Sequence, residues 1–197
     1  MKIAITGGIG SGKSTALDFF RQKGYAVFSC DEIYKEIIQQ KPFIDNIKTL
    51  FPSAVIKGKI DRAELGRIVF SDEIARTKLN EISHSLIMNA LNEKMSKANT
   101  PYVFAEVPLL FEGEYQTQFD AVIVVMREEE ERINAIQQRD RIEIEQIKSR
   151  IAAQFDYEKI KSNPLLFGDR VYIVSNNEKI EEFKNSLNEI LKKITCS

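Results

Sequence analysis

The 197 residues are 43% hydrophobic and 29% charged, and 28 Lys and Arg stand against 29 Asp and Glu for a formal net charge of −1. That composition fits one soluble domain with room for a subdomain, and argues against a nucleic-acid-coating or polybasic membrane-binding protein, since both need a sequence-wide positive excess. The longest apolar runs fall far short of the roughly 20 residues of a membrane helix, no apolar signal core precedes the first strand, and Cys30 and Cys196 lack metal-ligand spacing. A reduced, cytoplasmic protein without redox or metal-cluster chemistry is therefore expected.

In chain order, β-rich runs at residues 2–6, 25–28, 102–107, 121–126 and 171–174 predict strands. Helical patterns between them predict a parallel sheet flanked by helices. The central runs are apolar throughout, as in strands covered on both faces. A glycine-rich loop follows the first strand and leads into an amphipathic helix with Ala16, Leu17 and Phe20. The interval at about 29–100 is far longer than the dozen or so residues a crossover needs. Within it, Ile33, Ile37 and Ile38 mark one helix, and Phe43, Ile47 and Leu50 a second. Leu65, Ile68 and Val69 mark a third behind an Asp61 and Glu64 capping box, and Leu79, Ile82, Leu86 and Ala90 a longer fourth. This predicts an inserted helical subdomain within a single domain spanning 1–197. The acidic run 128–131 predicts the first turns of a further helix. A second charged, helical insertion at about 139–156 stands where substrate covers commonly form.

Gly7-Gly8-Ile9-Gly10-Ser11-Gly12-Lys13-Ser14 matches G-x-x-x-x-G-K-[ST] between a predicted strand and a predicted helix. Glycines let successive N–H groups point at phosphate oxygens while the following helix offers its positive end. The loop from Gly8 through Ile9, Gly10, Ser11, Gly12, Lys13 and Ser14 to Thr15 is thus the candidate ATP site. Lys13 is expected on the β and γ phosphates and Ser14 on Mg²⁺. Neither an N-K-x-D guanine motif nor a D-x-x-G switch occurs, which argues against a regulatory GTPase. The helical insertions suit a small-molecule kinase that closes over both substrates. Asp31, after the second strand, lies where ligands of open α/β sheets collect and can accept a hydroxyl proton. Its plainer reading is a first-turn acid complementing the helix dipole, with Ser29 and Glu32 as a capping box.

The run 5–15, the Asp31 segment, Ile60-Asp61-Arg62-Ala63-Glu64-Leu65, Ile82-Ser83-His84-Ser85-Leu86-Ile87, Val107-Pro108-Leu109-Leu110-Phe111-Glu112, Arg139-Asp140 and Arg150-Ile151-Ala152-Ala153-Gln154 together resemble the dephospho-coenzyme A kinase family, in its order and over nearly the whole chain. The resemblance implies a P-loop NTPase α/β/α fold of three layers with a five-stranded parallel sheet, an inserted helical coenzyme A subdomain and a helical lid. It implies transfer of the ATP γ-phosphate to the 3′-hydroxyl of dephospho-coenzyme A, with Mg²⁺ accompanying ATP and no nucleic acid, membrane or obligate protein partner. By the same match Asp31 is the catalytic base or hydroxyl-orienting group. Arg62, His84, Pro108 and Glu112 line the acceptor site, Arg139 contacts the phosphates, and Asn176 lies near adenine. Residue by residue, plainer readings stand beside these: Arg62 as an exposed first-turn residue, His84 at the border of an apolar face with Met88 and Leu91, Pro108 as a backbone shaper, Glu112 as a helix cap, Arg150 on a solvated face and Asn176 in a loop.

Several positions depart from the family pattern. Ser29 replaces the first acid of an Asp-x-Asp pair, Ser85 a proline, and Glu106 an aspartate, although Glu106 can still reach Mg²⁺ through water. The run 141–146 lacks the usual glycine-containing turn. A kinase for another nucleoside or nucleotide, and a catalytically impaired nucleotide-binding regulatory module, are the alternatives.

Overall fold

The computed structural model describes residues 1–163 and 170–196. In chain order its elements are β1 (Lys2–Thr6), α1 (Lys13–Gln22), β2 (Ala26–Ser29), α2 (Cys30–Ile37), α3 (Lys41–Leu50), β3 (Val55–Ile56), β4 (Lys59–Ile60), α4 (Arg62–Ser71), α5 (Glu73–Lys97), β5 (Val103–Glu106), β6 (Ala121–Met126), α6 (Glu129–Asp140), α7 (Ile144–Ala152), α8 (Glu158–Ser162), β7 (Val171–Ser175) and α9 (Ile180–Thr195). They form two compact units, one of Met1–Val27 with Ala98–Ser197 and one of Phe28–Lys97.

The first unit is built on a five-stranded sheet of order β2-β5-β1-β6-β7. β1 pairs in parallel with β5 and β6, and β6 with β7: Ile5 stands opposite Glu106 of β5 and Ile123 of β6, and Val124 opposite Ile173 of β7. Parallel strands covered on both faces need apolar side chains at every position, and Ile3, Ala4, Ile5, Ile123, Val124 and Val125 are all fully buried. Helix α1 contributes Ala16, Leu17 and Phe20 to this core, and α9 contributes Phe183, Leu187, Ile190, Leu191 and Ile194. The α9 positions recur every three or four residues, so one stripe of that helix meets the sheet. Phe20 stacks on Phe104 with ring centroids 3.8 Å apart. The predicted strands at 2–6 and 121–126 match β1 and β6. Tyr25, expected at a strand start, instead closes the turn after α1 through a hydrogen bond from its N–H to the Phe20 carbonyl (3.2 Å).

The second unit has its own core of Phe43, Ile47, Phe51, Ala54, Leu65 and Ala75. Asp61 caps α4, its carboxylate accepting the Ala63 and Glu64 N–H groups (3.0 and 3.1 Å). Only this half of the expected box forms, because the Glu64 carboxylate takes the Arg67 guanidinium on the next turn (2.8 and 2.9 Å). The expected Ser29 and Glu32 box does not form either: Ser29 is the N-cap of α2 with no side-chain cap bond, and it is buried. Helix α5 starts before its apolar period because Asp72 accepts the Ile74 and Ala75 N–H groups (2.8 and 3.2 Å). The β3–β4 hairpin was hidden in the sequence. It turns at Lys57 (φ 50°) and Gly58 (φ 74°), both left-handed, as a two-residue hairpin turn demands.

Candidate active site

The loop from Gly7 to Gly12 leaves the buried end of β1 and becomes α1. Gly12 is the N-cap residue at φ 102°, and a Cβ there would overlap the Asn176 amide nitrogen. Only glycine allows both that dihedral and that approach. Helix α1 has no side-chain cap and no acidic residue in its first turn, so its first N–H groups and positive end are left to an anion. The Lys13 ammonium donates to the Gly7 and Gly8 carbonyls (2.9 and 3.1 Å), which holds its charge at the loop. Ser14 is exposed one residue on.

Asn176, at the end of β7, donates its side-chain amide to the Ser11 carbonyl (2.8 Å), and its own N–H bonds the Met126 carbonyl (2.9 Å). It is thus a brace of the loop. Glu106 ends β5 opposite Ile5, on the strand beside the one that carries the loop. Arg139, in the last turn of α6, forms a fork with Asp140 (2.7 and 2.8 Å). This pair raises the guanidinium's pKa, with the Glu106 charge adding to the effect, and lowers that of Asp140, to which Arg150 also contributes. Arg139, Glu106 and Arg150 therefore share one electrostatic neighbourhood. Pro108 accepts a long hydrogen bond from the Tyr157 hydroxyl at its carbonyl (3.5 Å). Glu112 accepts the Phe155 N–H (3.0 Å), so it caps no helix immediately after it.

Three groups around the loop carry no local sequence signal. Arg132 donates Nε to the Ile9 carbonyl (2.9 Å), and Gln154 accepts the Ile9 N–H (2.8 Å). Burial lowers the pKa of the Arg132 guanidinium. The Tyr157 hydroxyl meets Thr6 Oγ1 at 3.1 Å, and burial pushes its pKa up to about 12. These contacts join residues more than a hundred positions apart, which no local spacing signals. The one hint was the Arg150-to-Gln154 run, quoted above for its resemblance alone. A cavity of about 590 Å³ opens beside the loop, with Gly8, Ser11, Arg132, Gln154, Tyr157 and Asn177 among its walls.

In the helical unit, Asp31 occupies the first turn of α2 and Arg62 the first position of α4, both exposed. His84 is half-buried in α5, one turn before buried Met88. A cleft of about 770 Å³ runs here between Tyr34, Ile38, Phe43, Ile60, Leu65 and Val69, and its charged walls are Lys35, Lys59 and Arg62. Asp31 is not in that wall, but Tyr34 and Lys35 follow it by three and four residues and so share its face of α2. His84 does not line the cleft.

The family model for dephospho-CoA kinase matches residues 1–182. A dephospho-CoA kinase of Thermus thermophilus is 32% identical over 193 residues, 98% of this chain and 91% of that protein. A solved structure from the same organism superposes with a TM-score of 0.81 at 31% identity, covering 98% of this chain and 97% of the other. A dephospho-CoA kinase from Campylobacter jejuni superposes with a TM-score of 0.68 at 29% identity over 98% of each chain.

Proposed function

Because the chain belongs to the dephospho-CoA kinase family, we propose that it transfers the γ-phosphate of ATP to the 3′-hydroxyl of dephospho-CoA, giving CoA and ADP. The observation that carries this reading is the family match over residues 1–182, on a chain whose loop leaves α1 uncapped and Lys13 poised for phosphate. Gly8 to Thr15 cradle the ATP phosphates. Lys13 stabilises the charge that builds on the transferring group, and Arg139, with its planar fork, leaves or shares Asp140 to add a second positive charge. Asn176 stands at the nucleotide's edge, shaping the loop through Ser11.

Mg²⁺ accompanies ATP. It is a hard cation that takes oxygen ligands, and the exposed Ser14 hydroxyl and the Glu106 carboxylate, the latter through water, fit that need. Among the described residues no group of three or more His, Cys, Asp or Glu could hold a metal ion, so phosphate oxygens and water would supply the rest of its shell. Held there, the ion would supply neutralisation of the ATP phosphate charge.

The inserted helical subdomain at about 29–100 is the acceptor-binding part, and the segment at about 139–156 is the lid. Asp31 orients the 3′-hydroxyl and takes its proton. By the family match Arg62, His84, Pro108 and Glu112 are acceptor-binding residues. Three charged residues line the cleft and all are basic, which suits the diphosphate of dephospho-CoA, and its volume lies in the range of small-molecule sites. No helix among the described residues is long and apolar enough to cross a membrane, in keeping with work in the cytoplasm. The test is acceptor-dependent ADP release with Mg²⁺ and ATP, comparing dephospho-CoA with adenosine, AMP and no acceptor, and checking product mass. Turnover with dephospho-CoA alone, giving CoA, is expected. Turnover with AMP or adenosine instead would replace this reading by another nucleoside or nucleotide kinase. ATP binding with no acceptor used would favour the regulatory module.

A further inference from the structure

Ile9, in the outer half of the phosphate loop, is fastened at three points. Its side chain packs on the α6–α7 cluster of Ile133, Ile136 and Ile147. Its carbonyl accepts Arg132 Nε at 2.9 Å, and its N–H donates to Gln154 Oε1 at 2.8 Å. Arg132 Nη2 donates to the same Gln154 oxygen at 3.3 Å, which closes a hydrogen-bonded ring through the Ile9 backbone. The guanidinium lies so close to the loop that a Cβ on Gly8 would overlap it. None of the ion pairs among the described residues includes Arg132. Its charge is turned instead on two neutral oxygens, one of them in the loop.

We infer that Arg132 and Gln154 are positioning residues for phosphoryl transfer: by holding the two peptide planes that meet at Ile9, one through its N–H and the other through its carbonyl, they set the curvature of the loop whose N–H groups receive the ATP phosphates. The inference rests on the proposed role of Gly8 to Thr15 and extends it to two side chains that act through the loop's backbone. The physical reason is directional. If only one of the two peptide planes that meet at Ile9 is held, the other can rotate about its flanking dihedrals, and glycines at positions 8 and 10 offer little resistance. Holding both groups at once removes that freedom before ATP arrives, so ATP need not supply the ordering itself. The ring and the isoleucine cluster also join α7 to the loop, so this part of the second insertion stays with the phosphate site as a brace.

The test uses the full chain with Gln154→Leu, Gln154→Glu, Arg132→Ala and the double variant Arg132→Ala/Gln154→Leu. ATP affinity is measured by titration calorimetry without acceptor, alongside KM for both substrates and the melting temperature. Gln154→Leu removes the shared acceptor and is expected to weaken ATP binding about tenfold, with KM for dephospho-CoA within about twofold of the parent. Gln154→Glu keeps an oxygen for both donors and should restore most of the ATP affinity. The double variant should be little worse than the poorer single one, as for groups acting in one unit. A lower melting temperature with unchanged ATP affinity in Gln154→Leu and Arg132→Ala would reduce the ring to a structural brace and overturn the inference, as would equal losses for Gln154→Leu and Gln154→Glu. Failure of the parent chain to phosphorylate dephospho-CoA would count against the proposed acceptor alone, since ATP binding needs none.

Discussion

Asp31 and Lys13 are placed in two different ways for the roles proposed for them. Lys13 is placed by its own motif: the loop's turn brings its ammonium to the Gly7 and Gly8 carbonyls, and phosphate oxygens compete for the same donors with a full negative charge. Asp31 is placed by a strand end and a helix start. Its carboxylate is exposed and can accept a hydroxyl proton. The two substitutions should therefore separate. Lys13→Ala is expected to raise KM for ATP and lower kcat together. Asp31→Asn should keep ATP affinity near the parent's and lower kcat by about a hundredfold, the scale of a lost general base. Full turnover in the Asp31→Asn enzyme would remove this residue from the mechanism. Lys13 was legible because the phosphate-loop spacing encodes a local backbone path. Arg132, Gln154 and Tyr157 were not, because their roles depend on contacts with residues 9, 6 and 108 that only the fold brings near.

At the scale of elements, the sequence was most readable where burial is continuous or periodic. β1 and β6 are apolar at almost every position, and α2, α3 and α4 each carry an apolar stripe, so the hydrophobic pattern located them. It failed where backbone conformation ran against residue preference. Lys57 makes the β3–β4 turn with φ 50°, and Arg141 follows α6 with φ 54°, both positions where glycine or asparagine is the usual signal. Arg141 is the more informative of the two. The missing glycine in the run 141–146 suggested an altered turn, yet the chain adopts the left-handed cap with an arginine in glycine's place. A left-handed non-glycine residue costs about 1 kcal/mol. Arg141 is exposed, so Arg141→Gly should raise stability by about 0.5–1 kcal/mol, less what glycine's unfolded-state freedom takes back. Denaturant titration checks this, with an unchanged m value expected. A loss of stability would mean that the arginine side chain contributes more than its backbone strain costs.

For the whole molecule, each unit has its own apolar core, and within the first unit a polar contact also joins distant parts of the chain. Tyr157 is 7% exposed. Its hydroxyl lies 3.1 Å from Thr6 Oγ1 and 3.5 Å from the Pro108 carbonyl, while its ring packs edge-on to Phe111 and Phe155. Burial is the main cause of its raised pKa of about 12, the nearby Glu112 charge adds to it, and the Thr6 hydrogen bond opposes it. In the unfolded chain the same phenol titrates near its ordinary value of about 10. The unfolded state thus releases its proton first. Between about pH 10 and 12 the native state binds more protons, so stability falls as pH rises, by up to about 1.4 kcal/mol per pH unit from this group. Below about pH 10 its contribution is complete. Tyr157→Phe keeps the ring packing and removes the ionisation, so the variant should lose stability less steeply above pH 10. The difference from the parent, measured by urea midpoints from pH 8 to 11.5, should be constant up to about pH 10 and shift in the variant's favour beyond it. Parallel curves across the whole range would show that the phenol ionises equally readily in both states, and that burial of this hydroxyl does not govern alkaline unfolding.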